Sequence, residues 1–154
     1  ERGARRVIAL DVGHGQLVPE LRADDRVVVV EGENARELSS ERLAELSSSP
    51  EQPTLVVVDV SFISLSLILP VADQVMRHPG EIVTLVKPQF EVGRADVGKG
   101  GIVRDVAARE AALRSAVELA ESLGWSVQGT MESPIQGTKG NVEYLLHATT
   151  GERT

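Results

Sequence analysis

Four short apolar runs, each ending in a polar residue, constrain the fold of this chain most strongly. The runs are residues 7–10, 27–30, 55–58 and 82–86, and they are followed by Asp11, Glu31, Asp59 and Lys87. Each run is continuous and rich in β-branched residues, which is typical of strands buried on both faces of a parallel sheet. The four polar residues are therefore predicted to lie at the carboxyl edge of one sheet, where open α/β sheets bind ligands.

Helices are predicted between these runs, at residues 16–22, 40–46, 65–77 and 106–123. Pro70 should delay or kink the third helix. Asp105 as N-cap and Gly124 as terminator make the last one the strongest candidate. Two further strands, at residues 126–131 and 142–148, complete the pattern. We predict a single α/β domain over residues 1–154, with a mostly parallel, doubly wound sheet and a C-terminal antiparallel hairpin.

The composition excludes several classes of protein. The chain has no cysteine, which excludes a disulfide scaffold and any zinc site built on cysteine, and we propose no metal site. No apolar run approaches the roughly 20 residues that span a bilayer, so we expect a cytoplasmic protein without a membrane partner. The net charge is −7, whereas free-standing nucleic-acid binders are usually basic because phosphate contacts dominate their affinity. An RNA substrate would therefore require another domain or subunit for much of its binding.

Asp11 is the first candidate functional residue. It ends an apolar run and precedes Gly13-His14-Gly15. This segment is an incomplete dinucleotide fingerprint, because Val18 stands where the third glycine would be. Asp11 could accept hydrogen bonds from ribose hydroxyls, or it could cap the helix that follows. His14 is predicted to be structural.

Lys87 and Glu143 are two further candidates, each with a structural alternative. Lys87 is held extended by Pro88, and it is either a partly desolvated base or a lysine whose stem covers apolar surface while its ammonium stays in water. Glu143 lies within an apolar run and is either an edge-strand charge or a partner of Lys87. An Asp–Lys–Glu set at one sheet edge suits methyl transfer to a hydroxyl, because the lysine can take or steer the proton and the carboxylates orient it.

Residues 91–104 differ from their surroundings because they are rich in glycine and basic side chains. We interpret them as a mobile loop at the carboxyl edge of the sheet. The loop is either a solvated excursion or a substrate-facing element, since loops at that edge carry function in α/β folds.

Four segments resemble the TlyA-type (hemolysin A-type) proteins, which are related to the FtsJ-type RNA methyltransferases. They are residues 9–17, 58–65, 85–93 and 140–144, in the order found in the family. The resemblance implies a Rossmann-like fold and S-adenosylmethionine-dependent methylation of ribose 2′-hydroxyl groups in ribosomal RNA. It places the family's catalytic Asp, second Lys and Glu on Asp59, Lys87 and Glu143. The cofactor would lie beside Asp11, Val12, Asn34, Asp59 and Val60.

The same resemblance implies that part of the family's domain lies before residue 1. The first catalytic lysine, the glycine-rich cofactor loop, the first strand and an S4-type RNA-binding domain are expected there. That strand would be central, so its two neighbours would be separated by roughly 4.8 Å beyond the normal pairing distance. Rearrangement, strand exchange in a homodimer or direct pairing of the neighbours would then satisfy their backbone groups. We therefore expect a fragment with weak or no cofactor binding and activity.

Two other functions compete with ribosomal RNA methylation, whose partners would be ribosomal RNA or ribosomal subunits. One is a non-catalytic fragment or an RNA or protein interaction module of methyltransferase fold. The other is a nucleotide-linked oxidoreductase, which predicts a glycine-rich turn after the first strand that we do not find. Nothing in the sequence supports a membrane pore, since it has neither a spanning segment nor a strongly amphipathic helix.

Overall fold

A computed structural model describes residues 3–93 and 96–152 as an α/β fold. The strands are β1 (Val7–Asp11), β2 (Val27–Glu31), β3 (Leu55–Val58), β4 (Gly80–Val86), β5 (Trp125–Glu132) and β6 (Tyr144–Thr150). The α-helices are α1 (Pro19–Arg22), α2 (Ser40–Ser47), α3 (Leu69–Val75), α4 (Pro88–Glu91) and α5 (Val106–Ser122). Single 3₁₀ turns cover Ala35–Glu37, Leu65–Leu67 and Thr138–Gly140. All six predicted strands are present.

The chain divides after Gln52 into two compact units. In the first unit, β1 and β2 form a two-stranded parallel sheet in which Asp11 is opposite Glu31. These two acids therefore end neighbouring strands, as the sequence predicted. Asp59 and Lys87 follow strands of the second described sheet, so the prediction of one sheet edge for all four polar residues was wrong. α1 is shorter than predicted because it begins only at Pro19, whose fixed φ angle suits the first position of a helix.

The second unit contains a four-stranded sheet with the order β3-β4-β6-β5. β3 and β4 are parallel, whereas β6 pairs antiparallel with both β4 and β5. The predicted C-terminal hairpin is therefore confirmed, with β6 as an interior strand. Among the described strands, β1 pairs only with β2, and β3 pairs only with β4. Residues 3–6 contribute no strand.

One face of this sheet forms the core of the second unit. The side chains on that face are fully buried, with 0% exposure, at Ile82, Thr84, Val86, Leu146 and Ala148. α5 packs on the sheet and buries three alanines spaced four residues apart, Ala112, Ala116 and Ala120. This spacing places them on one face of the helix, and their small side chains allow a close approach to the strands.

The helix boundaries follow the predicted signals in this unit. α3 begins at Leu69 after a 3₁₀ turn, so the helix with Pro70 in its first turn starts late. α5 is capped by Asp105, whose Oδ1 accepts a hydrogen bond from the backbone N–H of Ala107 at 3.0 Å. Gly124 ends the helix with a φ of +80°, in the left-handed region that favours glycine. No helix in the described ranges is both long and apolar enough to cross a membrane.

The α5 cap gives a test of this fold. We predict that Asp105→Ala lowers the free energy of unfolding of the second unit by about 1 kcal/mol, because the first turn loses its side-chain acceptor. Urea unfolding followed by the fluorescence of Trp125, the single tryptophan, measures the change. Glu118→Ala, which removes an exposed acid in the middle of the same helix, is the matched control. Equal effects of the two substitutions would contradict the prediction.

Candidate active site

Lys87 forms an ion pair at the carboxyl edge of β3 and β4. The two strands are parallel, with Val58 opposite Thr84, so the segments that follow them leave the sheet together. The Nζ atom of Lys87 lies 2.7 Å from Oδ1 of Asp59 and donates a hydrogen bond to Oγ of Ser61 at 3.0 Å. The side chain of Lys87 is 12% exposed and that of Asp59 is 67% exposed. A largely buried lysine stem thus ends in an ammonium group held at an open surface.

Glu143 lies directly before β6, not inside a strand, so the predicted start of this strand at residue 142 was two residues early. The interpretation as an edge-strand charge was wrong, because β6 is an interior strand and Glu143 is only 6% exposed. Its Oε1 accepts a hydrogen bond from Nε2 of Gln89 at 2.8 Å. It forms no ion pair with Lys87 in the part of the chain that the structure describes. Val86 and Tyr144 are opposite each other in the last pair of β4 and β6. Lys87 follows Val86 and Glu143 precedes Tyr144, so the register brings the backbones of these two residues to the same end of the strand pair.

Glu91 connects the segment after β3 with the helix after β4. The sequence placed it in a mobile loop, but it is the last residue of α4. Its carboxylate accepts hydrogen bonds from Oγ of Ser64 at 2.8 Å and from the backbone N–H of Leu65 at 2.9 Å. This role was not predicted from the sequence. The available signal was the predicted helix start at residue 65, because the first N–H groups of a helical turn need acceptors.

Two phenylalanines form an aromatic pair beside the ion pair. The rings of Phe62 and Phe90 have centroids 4.9 Å apart and are tilted by 50°. Phe62 is 91% exposed and its φ is 64°, a conformation that is costly for a bulky side chain. The chain has only these two phenylalanines, and they lie on the segments that carry Asp59 and Lys87. The exposed ring therefore offers a flat apolar surface on the residue that follows Ser61, which accepts a hydrogen bond from Lys87.

The glycine-rich segment predicted as a mobile loop is anchored through its described residues. Asn141, which is 4% exposed, accepts a hydrogen bond from the N–H of Val103 at 3.1 Å and donates to the carbonyl of Gly101 at 2.9 Å. Nζ of Lys139 donates to the carbonyl of Gly100 at 3.0 Å. The predictions made for positions 94 and 95 lie outside the described residues.

In the first unit, the carboxylates of Asp11 and Glu31 accept hydrogen bonds from the loop that connects β1 with α1. Oδ1 of Asp11 accepts a hydrogen bond from the N–H of Gly13 at 2.7 Å. Asp11 does not cap α1, whose N-cap position is Val18, so that alternative was wrong. Glu31 accepts from the N–H of Gly15 at 3.0 Å and pairs with Arg22. The hydrogen bond from Arg22 is the main cause that lowers the pKa of Glu31, with further contributions from backbone N–H groups.

The other residues predicted to bind a cofactor have different surroundings. Val12 is 70% exposed beside Asp11. Asn34 caps the 3₁₀ turn, because its Oδ1 accepts from the N–H of Arg36 at 3.1 Å and its Nδ2 donates to Glu37 at 3.0 Å. Val60 is half-buried and follows Asp59 in the second unit.

The family model for FtsJ-like methyltransferases matches residues 1–150. The chain belongs to this family. It is 46% identical over 146 residues to the 16S/23S rRNA (cytidine-2′-O)-methyltransferase TlyA of Mycobacterium tuberculosis, covering 95% of this chain and 52% of that protein. It is 45% identical over 147 residues to Hemolysin A of Brachyspira hyodysenteriae, covering 96% of this chain and 59% of that protein. The predicted relationship to TlyA-type proteins is confirmed.

Solved structures agree with this FtsJ-like assignment. The structure of a Streptococcus thermophilus protein that carries the name hemolysin superposes on this chain with a TM-score of 0.89 at 43% sequence identity. The match covers 97% of this chain and 52% of that one. The chain thus spans about half the length of the relatives it matches.

The Glu91 contacts can be tested through stability. We predict that Glu91→Ala lowers the free energy of unfolding of the second unit by about 1–3 kcal/mol, because it leaves the N–H of the buried Leu65 without an acceptor. Glu91→Gln keeps one acceptor oxygen and should be affected less. Urea unfolding followed by Trp125 fluorescence compares the two variants. Wild-type stability of Glu91→Ala would show that the contact contributes nothing.

Proposed function

We propose that this chain carries the catalytic part of an S-adenosylmethionine-dependent RNA ribose 2′-O-methyltransferase that acts on ribosomal RNA. The supporting observation is the ammonium group of Lys87, held by Asp59 and Ser61 at an open edge of the sheet. The printed name of the Mycobacterium tuberculosis relative supports the choice of substrate. Because this chain spans about half of such relatives, the proposal concerns the full natural chain.

The chemical task of the site is to prepare a hydroxyl for methylation. A ribose 2′-hydroxyl is a poor nucleophile until it loses its proton, so a group must take or steer that proton. We propose that Nζ of Lys87, as the neutral amine, accepts this proton on its lone pair and becomes the ammonium group that Asp59 stabilises. Among the described contacts, Asp59 and Ser61 accept two of the three N–H groups of the resulting ammonium. The positions of these two acceptors therefore fix the direction of the third N–H group. Asp59 orients the lysine, and Glu143 is proposed to supply a second carboxylate next to it.

The proposed cofactor fits the chemistry of the first unit. S-adenosylmethionine supplies a methyl group already activated on a sulfonium, so positioning is the main remaining requirement. Oδ1 of Asp11 is used by Gly13, which leaves Oδ2 to accept from ribose hydroxyls. Val12 offers an exposed apolar surface to the adenine. We retain Asn34, Asp59 and Val60 as proposed cofactor neighbours, with the side chain of Asn34 already engaged in its turn.

The exposed aromatic pair suits an RNA substrate. Every nucleobase has a π-face that stacks on an aromatic ring, whatever the sequence. Phe62 is the more exposed ring, and it precedes the Glu91-anchored residue Ser64 on the segment that begins with Asp59. We propose that Phe62 stacks on a base of the RNA while Lys87 contacts the ribose.

Partner and location follow from the substrate. Ribosomal RNA, free or in ribosomal subunits, is the proposed partner, and the cytoplasm is the proposed location because ribosomal RNA is present there. The homodimer through strand exchange stays a prediction. Light scattering on the purified chain of residues 1–154 tests it, and a monomer mass would contradict it.

The first functional prediction concerns Lys87. Lys87→Ala in the full natural chain should lower kcat by at least about 100-fold, the usual minimum for a positioned proton-transfer group. Transfer of a radiolabelled methyl group from S-adenosylmethionine to ribosomal RNA measures it, and calorimetry checks that cofactor binding is retained. Arg114→Ala, which removes an exposed basic side chain of α5, is the control. An absence of methylation by the wild-type full chain would favour the alternative of a non-catalytic interaction module.

The second functional prediction concerns Phe62. Phe62→Ala should raise KM for RNA roughly 5- to 150-fold, because stacking of one base contributes about 1–3 kcal/mol, and should leave KM for S-adenosylmethionine unchanged. Phe62→Trp retains an aromatic face and should stay close to wild type. An unchanged RNA KM in Phe62→Ala would remove the stacking role without affecting the assignment of Lys87.

A further inference from the structure

The carboxylate of Glu143 has two neighbours to which the proposed chemistry gives no role. Gln89 donates a hydrogen bond from Nε2 to Oε1 of Glu143 at 2.8 Å. Gly137 lies against the same carboxylate, because a Cβ added there would fall well within 3.0 Å of Oε1 and of Cδ of Glu143. Real Cβ atoms essentially never approach other atoms this closely, so only glycine leaves room for the observed position of the carboxylate.

The side-chain amide of Gln89 has only one acceptable orientation. Reversing it would place Oε1 against the carboxylate oxygen of Glu143 and remove the donor that faces it. In the observed orientation, Oε1 of Gln89 is buried and has no hydrogen-bond partner among the described residues. A buried acceptor without a partner is unfavourable. The amide of Gln89 thus makes its described hydrogen bond through Nε2 to Glu143, while its own carbonyl makes none to a described residue.

The backbone arrangement gives this contact its significance. The register of β4 and β6 makes Lys87 and Glu143 cross-strand neighbours just beyond the last pair, Val86 and Tyr144. The ammonium of Lys87 is nevertheless occupied by Asp59 and Ser61, while the carboxylate of Glu143 is directed to Gln89. Gln89 therefore holds this buried carboxylate in its observed position, and the absence of a Cβ at Gly137 leaves room for it there.

We propose that Gln89 and Gly137 are positioning residues for methyl transfer: Gln89 holds the carboxylate of Glu143 in its observed position and Gly137 leaves room for it there. They act through Glu143 and touch neither the RNA nor the cofactor. This inference rests on the proposed function, and it adds two residues outside the catalytic set. Because a positioned carboxylate matters in the reacting complex, its displacement changes kcat and leaves the binding of both substrates intact.

The first experiment replaces the amide with an apolar side chain of similar size. Gln89→Met in the full natural chain lowers kcat for methylation of ribosomal RNA by about 10- to 100-fold, the range for loss of a hydrogen bond to a charged group, with KM for RNA and S-adenosylmethionine unchanged. Gln128→Met is the matched control, since Gln128 is exposed and bonds only to Ser126 and Thr149. It leaves kcat and both KM values at wild type.

The second experiment displaces the same carboxylate from the other side. Gly137→Ala lowers kcat with both KM values unchanged, whereas Gly129→Ala, where an added Cβ meets nothing within 4 Å, leaves activity intact. Because Gln89 and Gly137 act through one carboxylate, the double variant loses about as much kcat as the more damaging single variant. Losses that multiply would overturn the shared mechanism.

A third variant covers the case in which Gln89→Met or Gly137→Ala does not fold, as judged by Trp125 fluorescence and thermal unfolding. Gln89→Glu keeps the shape of the side chain but places a second carboxyl against Glu143, so it lowers kcat at neutral pH more than Gln89→Met does. Wild-type kcat in Gln89→Glu overturns the inference.

The failure of the proposed function is a separate result, in which the wild-type chain itself transfers no methyl group. If the wild type is active, Lys87→Ala is inactive and the Gln89 variants keep full kcat, only the positioning role is lost.

Discussion

The antiparallel pairing of β4 with β6 is the constraint on which the candidate site depends. It makes Lys87 and Glu143 neighbours although they are far apart in sequence. The register is set by the core, because Ile82 and Leu146 are fully buried on the face that packs against α5. A shift of one residue would turn these side chains to the opposite face of the sheet. The relative placement of the lysine and the carboxylate is therefore a consequence of apolar packing.

The short helix α4 converts this placement into a defined geometry. It begins directly after Lys87, and it presents Gln89 to Glu143 and Glu91 to Ser64 and Leu65. An isolated helix of this length is not stable in water, because nucleation is unfavourable and few hydrogen bonds form. Its contacts with the segments after β3 and before β6 therefore hold the helix in place, and the helix in turn holds those segments beside the ammonium group.

The proposed RNA substrate would meet two different properties of the chain, its candidate site and its net charge. The ion pair of Lys87 and the exposed ring of Phe62 suit contacts with one nucleotide. The net charge of −7 offers little neutralisation of phosphates, which normally dominate RNA affinity. We therefore expect most of the affinity for RNA to come from another domain of the full natural chain or from another subunit. The proposed role of residues 1–154 is to position the reacting ribose.

The sequence by itself determined the strands, the polar residues at their ends, the cap of α5 at Asp105 and the C-terminal hairpin, because these features depend on local periodicity and on backbone preferences of single residues. It also predicted that Asp59 and Lys87 would share one edge, since parallel strands end together. Only the tertiary structure decided that Glu143 lies buried outside its strand, with Gln89 as its partner, and that Glu91 caps a distant turn. These contacts join residues that no local pattern relates, and they exist because register and packing bring separate segments to the same place.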